Sequence, residues 1–191
     1  LRSQSERSRS RPSPALVAKG ALGAKAKAGF FTKKGKDILG LDVAKQDYVL
    51  SAGVAADEVK KILRNKNPGE RLKLLRESTH PQAQFLWSCY RDLFHYAAVH
   101  LQNIADNARD LDLAIRWGFG YKTGPFETWQ AAGWEQVAKR IAEDIAAGKA
   151  MSNTPLPAWV LESGRSGVHT PIGSFSPAMH SLKPRSTLPV Y

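Results

Sequence analysis

Between residues 55 and 147, apolar side chains recur at intervals of three and four, the period of helices with one face turned inward. The first such segment starts at Ala55. It carries Val59, Ile62 and Leu63 on one face and Asp57 and Glu58 in its first turn, where the helix dipole favours acids. Asn65-Lys66-Asn67-Pro68 ends it. Asn67 then caps a second helix, with Pro68 at the first position, Glu70 three residues after the cap, and Leu72 and Leu75 as the apolar pair. A longer element starts at Thr79, with Pro81 in the first turn where a missing N–H is harmless. No glycine or proline follows until Gly118. Phe85, Cys89 and Leu93 form one row, and Leu86, Tyr90, Ala97, Leu101 and Ile104 a second, which predicts a core helix running to about Asp106. Asn107 caps the next helix, with Asp110 reaching back to it and Leu111, Ile115 and Trp117 on the apolar side. Pro125 opens a helix carrying Phe126, Trp129 and Ala132, and Gly133 breaks it. Trp134, Val137, Ile141 and Ile145 predict a last amphipathic helix over 134–147.

The two ends of the chain read differently. Residues 1–14 hold a single aliphatic side chain, two prolines and no period, so they read as a disordered basic leader, followed by a helical turn from Pro14 to Lys19. Gly29-Phe30-Phe31, a Lys33–Lys36 turn containing Gly35, and Asp37-Ile38-Leu39 predict a hairpin, to which Asp47–Leu50 adds a third short strand. Such a fragment is too small to stand alone. After residue 148, Pro155 and Pro157 mark a loop and Ala158–Glu162 one short turn. From residue 163, repeated Gly and Pro without periodicity read as an extended linker or tail. The expected organisation is therefore 1–14 leader, 15–50 with the hairpin, 51–162 helical domain and 163–191 tail, in an all-α fold with a small N-terminal β-hairpin.

Composition narrows the function classes. A chain of 191 residues with 42% hydrophobic side chains fits one compact domain plus extra segments. The single cysteine, Cys89, excludes an internal disulfide and a multi-thiolate zinc site, and its apolar neighbours read as the setting of a buried, inert thiol. No apolar run approaches the ~18 residues of a membrane span, so secretion and membrane insertion lack support and a cytoplasmic location is the default expectation. The net charge of +11 is uneven: residues 1–36 hold ten Lys/Arg against Glu6, and the remainder 18 Lys/Arg against 16 Asp/Glu. A nearly neutral body argues for a solvated basic lead-in over a nucleic-acid groove. Nucleic-acid binding through this leader stays open as one rival reading, and a non-catalytic helical interaction module, homodimeric through apolar helix faces, as another.

Candidate chemistry is sparse. Gly118, Gly120 and Gly124 have the spacing G-x-G-x-x-x-G, which is not a dinucleotide fingerprint, and Tyr121 stands where a Walker loop needs glycine before Lys122. A helix, not a strand, precedes them. They read as a structural corner whose Phe119, Tyr121, Phe126 and Trp129 fill a core. His95 and His100, five apart, cannot chelate one metal, and no His has a carboxylate spaced to orient it as a base. Ser163-Gly164 and Ser166-Gly167 lack a nucleophile elbow. Asp110 and Asp112 diverge on a helix, and capping accounts for Asp110.

The ordered series Asn107-Ala108-Arg109-Asp110-Leu111-Asp112, Arg116-Trp117-Gly118-Phe119-Gly120 and Gly124-Pro125-Phe126-Glu127-Thr128-Trp129-Gln130-Ala131-Ala132-Gly133 resembles the C-terminal helical domain of 3-hydroxyacyl-CoA dehydrogenases. Leu22-Gly23-Ala24-Lys25 and Gly29-Phe30-Phe31 are similar to the end of a preceding copy of that domain, with Ala26 and Lys27 where the family has Thr/Ser and Gly. The resemblance covers roughly residues 20–150. It implies a bundle of the 6-phosphogluconate dehydrogenase C-terminal-like type, belonging to an NAD-dependent L-3-hydroxyacyl-CoA dehydrogenase of fatty-acid β-oxidation. The layout is similar to large proteins fused to an enoyl-CoA hydratase module. It further implies that NAD and the catalytic His–Glu pair belong to a Rossmann domain outside this chain, leaving the isolated chain inactive. No catalytic, cofactor-binding or metal residue is expected here. Gly118, Phe119, Gly120, Gly124, Pro125 and Phe126 are expected at the acyl-CoA cleft or at an interface with the parent polypeptide or a second copy.

Overall fold

A computed structural model describes residues 12–42, 44–50 and 53–186 and divides the chain into two compact units, 1–54 and 55–191. Most of the proposed leader, residues 1–11, lies outside the described residues. The described part of the first unit begins with α1 (Pro12–Ala18), which starts two residues before the expected turn, with proline tolerated in the first helical turn. An antiparallel meander follows: β1 (Phe31–Lys34), β2 (Asp37–Asp42) and β3 (Asp47–Leu50), with β2 in the middle. Its registers are Phe31↔Gly40 and Lys34↔Asp37, then Leu39↔Leu50 and Asp42↔Asp47. Gly35 at φ 62° makes the first turn. At the second, Asp42 Oδ1 accepts from the Ala44 and Lys45 N–H groups, both at 3.0 Å. The Lys45 N–H is the main cause holding the Asp42 carboxyl below its ordinary pKa. The expected hairpin is thus a three-stranded sheet.

The second unit is helical: α2 (Asp57–Leu63), α3 (Pro68–Glu77), α4 (Pro81–Ile104), α5 (Ala108–Phe119), α6 (Pro125–Ala131) and α7 (Trp134–Ala146). Local chemistry sets the boundaries. Asn67 Oδ1 accepts from Glu70 N at 2.9 Å and Pro68 occupies the first turn of α3. His80 Nδ1 accepts from Gln82 N at 3.2 Å at the start of α4. Gly133, at φ 93°, separates α6 from α7. A 3-10 turn at Ala158–Leu161 stands where one short turn was expected.

The core face of α4 differs from the expected stripe. Ala83, Trp87, Phe94, Ala97, Ala98 and Leu101 are buried, whereas Phe85, Leu93 and Ile104 are exposed. Cys89 is exposed as well, so it is not the buried thiol its apolar neighbours implied. The face seven residues apart wins because it carries the larger rings. Phe94 stacks on Trp129 (5.5 Å between centroids), and Trp129 stacks on Trp134 at 4.3 Å and 14°. Three of the core indoles are anchored by their N–H groups: Trp87 Nε1 donates to Asp144 (2.7 Å), Trp129 Nε1 to Trp134 O (3.0 Å) and Trp134 Nε1 to Val160 O (2.9 Å). Arg91, also on this face, is buried between Asp92 (Nε to Oδ1, 2.9 Å) and Asp144. Burial works against its charge, but the bonds to Asp92 and then Asp144 outweigh that and hold its pKa above the usual value.

The tail is a second correction. Residues 173–184 form a hairpin, β4 (Gly173–Ser176) and β5 (Ser181–Pro184), with Ser176↔Ser181 closing it. Val168 and Phe175 are buried in the same core as the helices, and Phe175 packs 4.9 Å from Trp159. Burial of Val168 and Phe175 and the hairpin's own hydrogen bonds together offset the cost of ordering this segment.

Candidate functional site

The corner between α5 and α6 is built in layers. Asn107 Oδ1 accepts from Arg109 N (2.9 Å) and Asp110 N (3.2 Å), and Asn107 Nδ2 donates to Asp110 Oδ2 (2.7 Å), so the expected cap and its partner are both in place. Gly120 ends α5 at φ 68°, the left-handed conformation glycine adopts without a Cβ penalty. Pro125 occupies the first turn of α6. The cap of α6 comes from α5. Asp112 Oδ1 accepts from Phe126 N (2.9 Å) and Oδ2 from Glu127 N (2.8 Å), while Glu127 Oε2 accepts from Gly124 N (2.8 Å). This close approach explains the glycine at 124, because a Cβ there would lie 2.4 Å from Asp112 Cβ.

The six residues singled out in the sequence separate into three groups. Phe126 is buried in the aromatic core, 6.4 Å from the Trp134 ring. Gly120, Gly124 and Pro125 line an open groove of about 550 Å³. Its other wall is Leu86, Tyr90 and Leu93 of α4, with Arg71 and Lys122 also in the lining. Gly118 is exposed, and so is Phe119 (70% of its surface). Tyr121 and Trp117 are exposed too, so three rings expected in or toward the core stand on the surface instead. The reason is that α5 turns Ala108, Leu111 and Asp112 inward, which directs its last turn to solvent.

The structure also joins residues that sequence spacing kept apart. His169 Nε2 lies 2.8 Å from Asp112 Oδ2, and its Nδ1 lies 2.9 Å from Ser174 Oγ. A serine, a histidine and a buried carboxylate in series have the connectivity of an acyl-transfer relay. The backbone around Ser174 removes that reading: Gly173 N donates to Thr170 Oγ1 and Phe175 N to Val168 O, so neither neighbouring N–H is free to hold an oxyanion. The series is a tether that fastens the tail to the α5–α6 corner. The separation of 57 residues between Asp112 and His169 left no local signal for it. His95 is buried with Nε2 2.7 Å from Thr154 O, a structural contact. Among the described residues no group of three or more His, Cys, Asp or Glu side chains is placed to hold a metal, and no helix is long and apolar enough to cross a membrane.

Fold and site together define a helical unit whose glycine-kinked corner forms one wall of an apolar groove. A probable 3-hydroxyacyl-CoA dehydrogenase of Bacillus subtilis (strain 168) is 31% identical over 147 residues, 77% of this chain and 18% of that protein. The chain thus spans less than a fifth of the length of the curated relative it matches, and the resemblance drawn from the corner motifs is to the same class of protein. No family model and no solved structure matches the chain.

Proposed function

We propose that this chain is a helical portion of an NAD-dependent L-3-hydroxyacyl-CoA dehydrogenase of fatty-acid β-oxidation, with the groove beside the 118–126 corner forming one wall of the acyl-CoA cleft. The bundle is of the 6-phosphogluconate dehydrogenase C-terminal-like type in this reading. The observation that carries it is the position of the groove: the corner that resembles the dehydrogenases supplies Gly120, Gly124 and Pro125 to an apolar trough with Arg71 and Lys122 in its lining. Leu86, Tyr90 and Leu93 suit a hydrocarbon chain or the pantetheine arm, and the two cations suit the anionic end of the same substrate.

The residues present do not fit NAD. The glycines follow a helix, and the space beside Gly124 is filled by the Asp112 carboxylate, which would repel a pyrophosphate. Hydride transfer is therefore assigned to polypeptide beyond these 191 residues, and no catalytic step is given to any residue here. The exposed rings of Phe85, Trp117 and Phe119 are the surface on which that polypeptide would seat.

Titrating acetoacetyl-CoA into the 191-residue chain and following backbone amide resonances tests the reading. Half a cleft is expected to bind in the range of about 0.1–1 mM, with shifts concentrated at residues 86–93 and 119–125. No shift at these amides by several millimolar, or shifts confined elsewhere, would overturn it.

A further inference from the structure

We propose that a second pocket, on a different face of α5 from the groove, binds a phosphate-bearing anion. It measures about 610 Å³, within the range of small-molecule sites and larger than one inorganic phosphate needs. Arg109, Leu113 and Arg116 recur at four and three residues, so they share one face of α5 and turn two guanidinium groups to the same opening. Arg185, just after β5, brings a third.

The floor of this pocket is already satisfied, which leaves the arginines as its available donors. Both ring nitrogens of His169 are engaged, by Asp112 and Ser174. Gln130 accepts from Val168 N and His169 N through Oε1 and donates to His169 O through Nε2. The lining carboxylate, Glu127, is divided between Gly124 N and Arg116 (3.1 Å). Arg185 makes one long contact, to Thr170 O at 3.3 Å, and the Arg109 side chain has no hydrogen-bond or ion-pair partner among the described residues. Two guanidiniums with free donors beside a third that is half-neutralised, converging on a rigid polar floor, match the geometry of an oxyanion with several acceptor oxygens. A diphosphate or a phosphomonoester of nucleotide size fits the charge and the volume.

This site is independent of the acyl-CoA reading, since it shares no lining residue with the groove. The test uses inorganic pyrophosphate titrated calorimetrically into the 191-residue chain and into an R109Q/R185Q variant, whose substituted side chains lie outside the core. Saturable binding that weakens about tenfold or more in the variant, with an unchanged melting curve in the absence of anion, is the expected result. Undetectable binding, or equal affinity in the variant (as non-specific attraction to the basic residues 1–36 would give), would overturn it. Coenzyme A as competitor separates the sources: displacement of pyrophosphate places a phosphate of that cofactor in the pocket, and its failure to displace shows that a free phosphorylated anion is preferred. Pyrophosphate carries no acyl group, so the groove experiment can fail while this one succeeds.

Discussion

Removing the Asp112 carboxylate should loosen three elements at once. In Asp112→Ala the buried Phe126 N–H loses its acceptor, a cost of about 1–3 kcal/mol. The Glu127 N–H loses its cap, worth about 1 kcal/mol, and His169 loses the partner that holds the tail, a similar amount. Relief of the carboxylate's own burial offsets part of this, since a buried charge is costly even when well bonded. The expected net loss is about 3 kcal/mol. Asp112→Asn should recover little of it, because an amide offers one acceptor oxygen and would turn its NH₂ toward an N–H donor or the imidazole. Urea unfolding followed by tryptophan fluorescence is the natural assay, with Trp129 and Trp134 packed directly behind the corner. His169→Ala alone should cost about 1 kcal/mol, and the double-mutant cycle with Asp112→Ala should show a coupling of about 0.5–1.5 kcal/mol. A loss below about 1 kcal/mol for Asp112→Ala, or additive single variants, would refute the assignment of Asp112 as the shared anchor.

Phe126→Ala removes a fully buried ring from between Trp134 and Trp159 and should cost about 3–5 kcal/mol, read as a drop of about 8–15 °C in melting temperature; wild-type behaviour would show the ring is not core. Lys183 Nζ donates to Asp106 Oδ2 at 2.8 Å, and this bond holds the Asp106 pKa below its ordinary 3.8 and that of Lys183 above its usual value. Because the carboxylate value is lowered on folding, its contribution is complete above pH 3.8 and is lost as pH falls through the depressed value. Amide shifts of β5 should therefore titrate below pH 3.8 in the wild type and not in Asp106→Asn; identical profiles would remove Asp106 as the cause.

What the sequence made legible follows the range of the interactions. Asn67, Asn107, Pro68, Pro125 and Gly133 act within four residues of their own positions, and each stands where local chemistry put it. The burial of α4 is not legible in its own sequence, because Arg91 and His95 interrupt the Trp87–Phe94–Leu101 row while Leu86, Leu93 and Cys89 complete a more continuous apolar stripe. Arg91 is paired locally with Asp92, but the partners that meet this face from outside, Asp144 some fifty residues further along and Thr154, are ones α4 cannot announce. The tail shows the same limit. Gly173-Ser174-Phe175-Ser176 before Pro177 carries a brief alternation, yet what orders it is Asp112 and Trp159, supplied by other elements.

The exposed aromatic fringe follows from this division of labour. By committing Asp112 to the start of α6, α5 turns Ala108 and Leu111 inward and leaves Trp117 and Phe119 no place in the core. Their exposure is fixed by the anchoring of the corner, not by looseness at the helix end, since Gly120 terminates α5 in a defined left-handed cap. Large rings exposed at the surface near the groove incur a hydration cost. Under the proposed function that cost disappears on assembly: the rest of the parent polypeptide covers Trp117 and Phe119, and the groove becomes the inner wall of a closed cleft. A Trp117→Ser/Phe119→Ser pair would then leave the unit's own stability almost unchanged, in contrast to Phe126→Ala, because the rings it removes contribute to docking and not to the core.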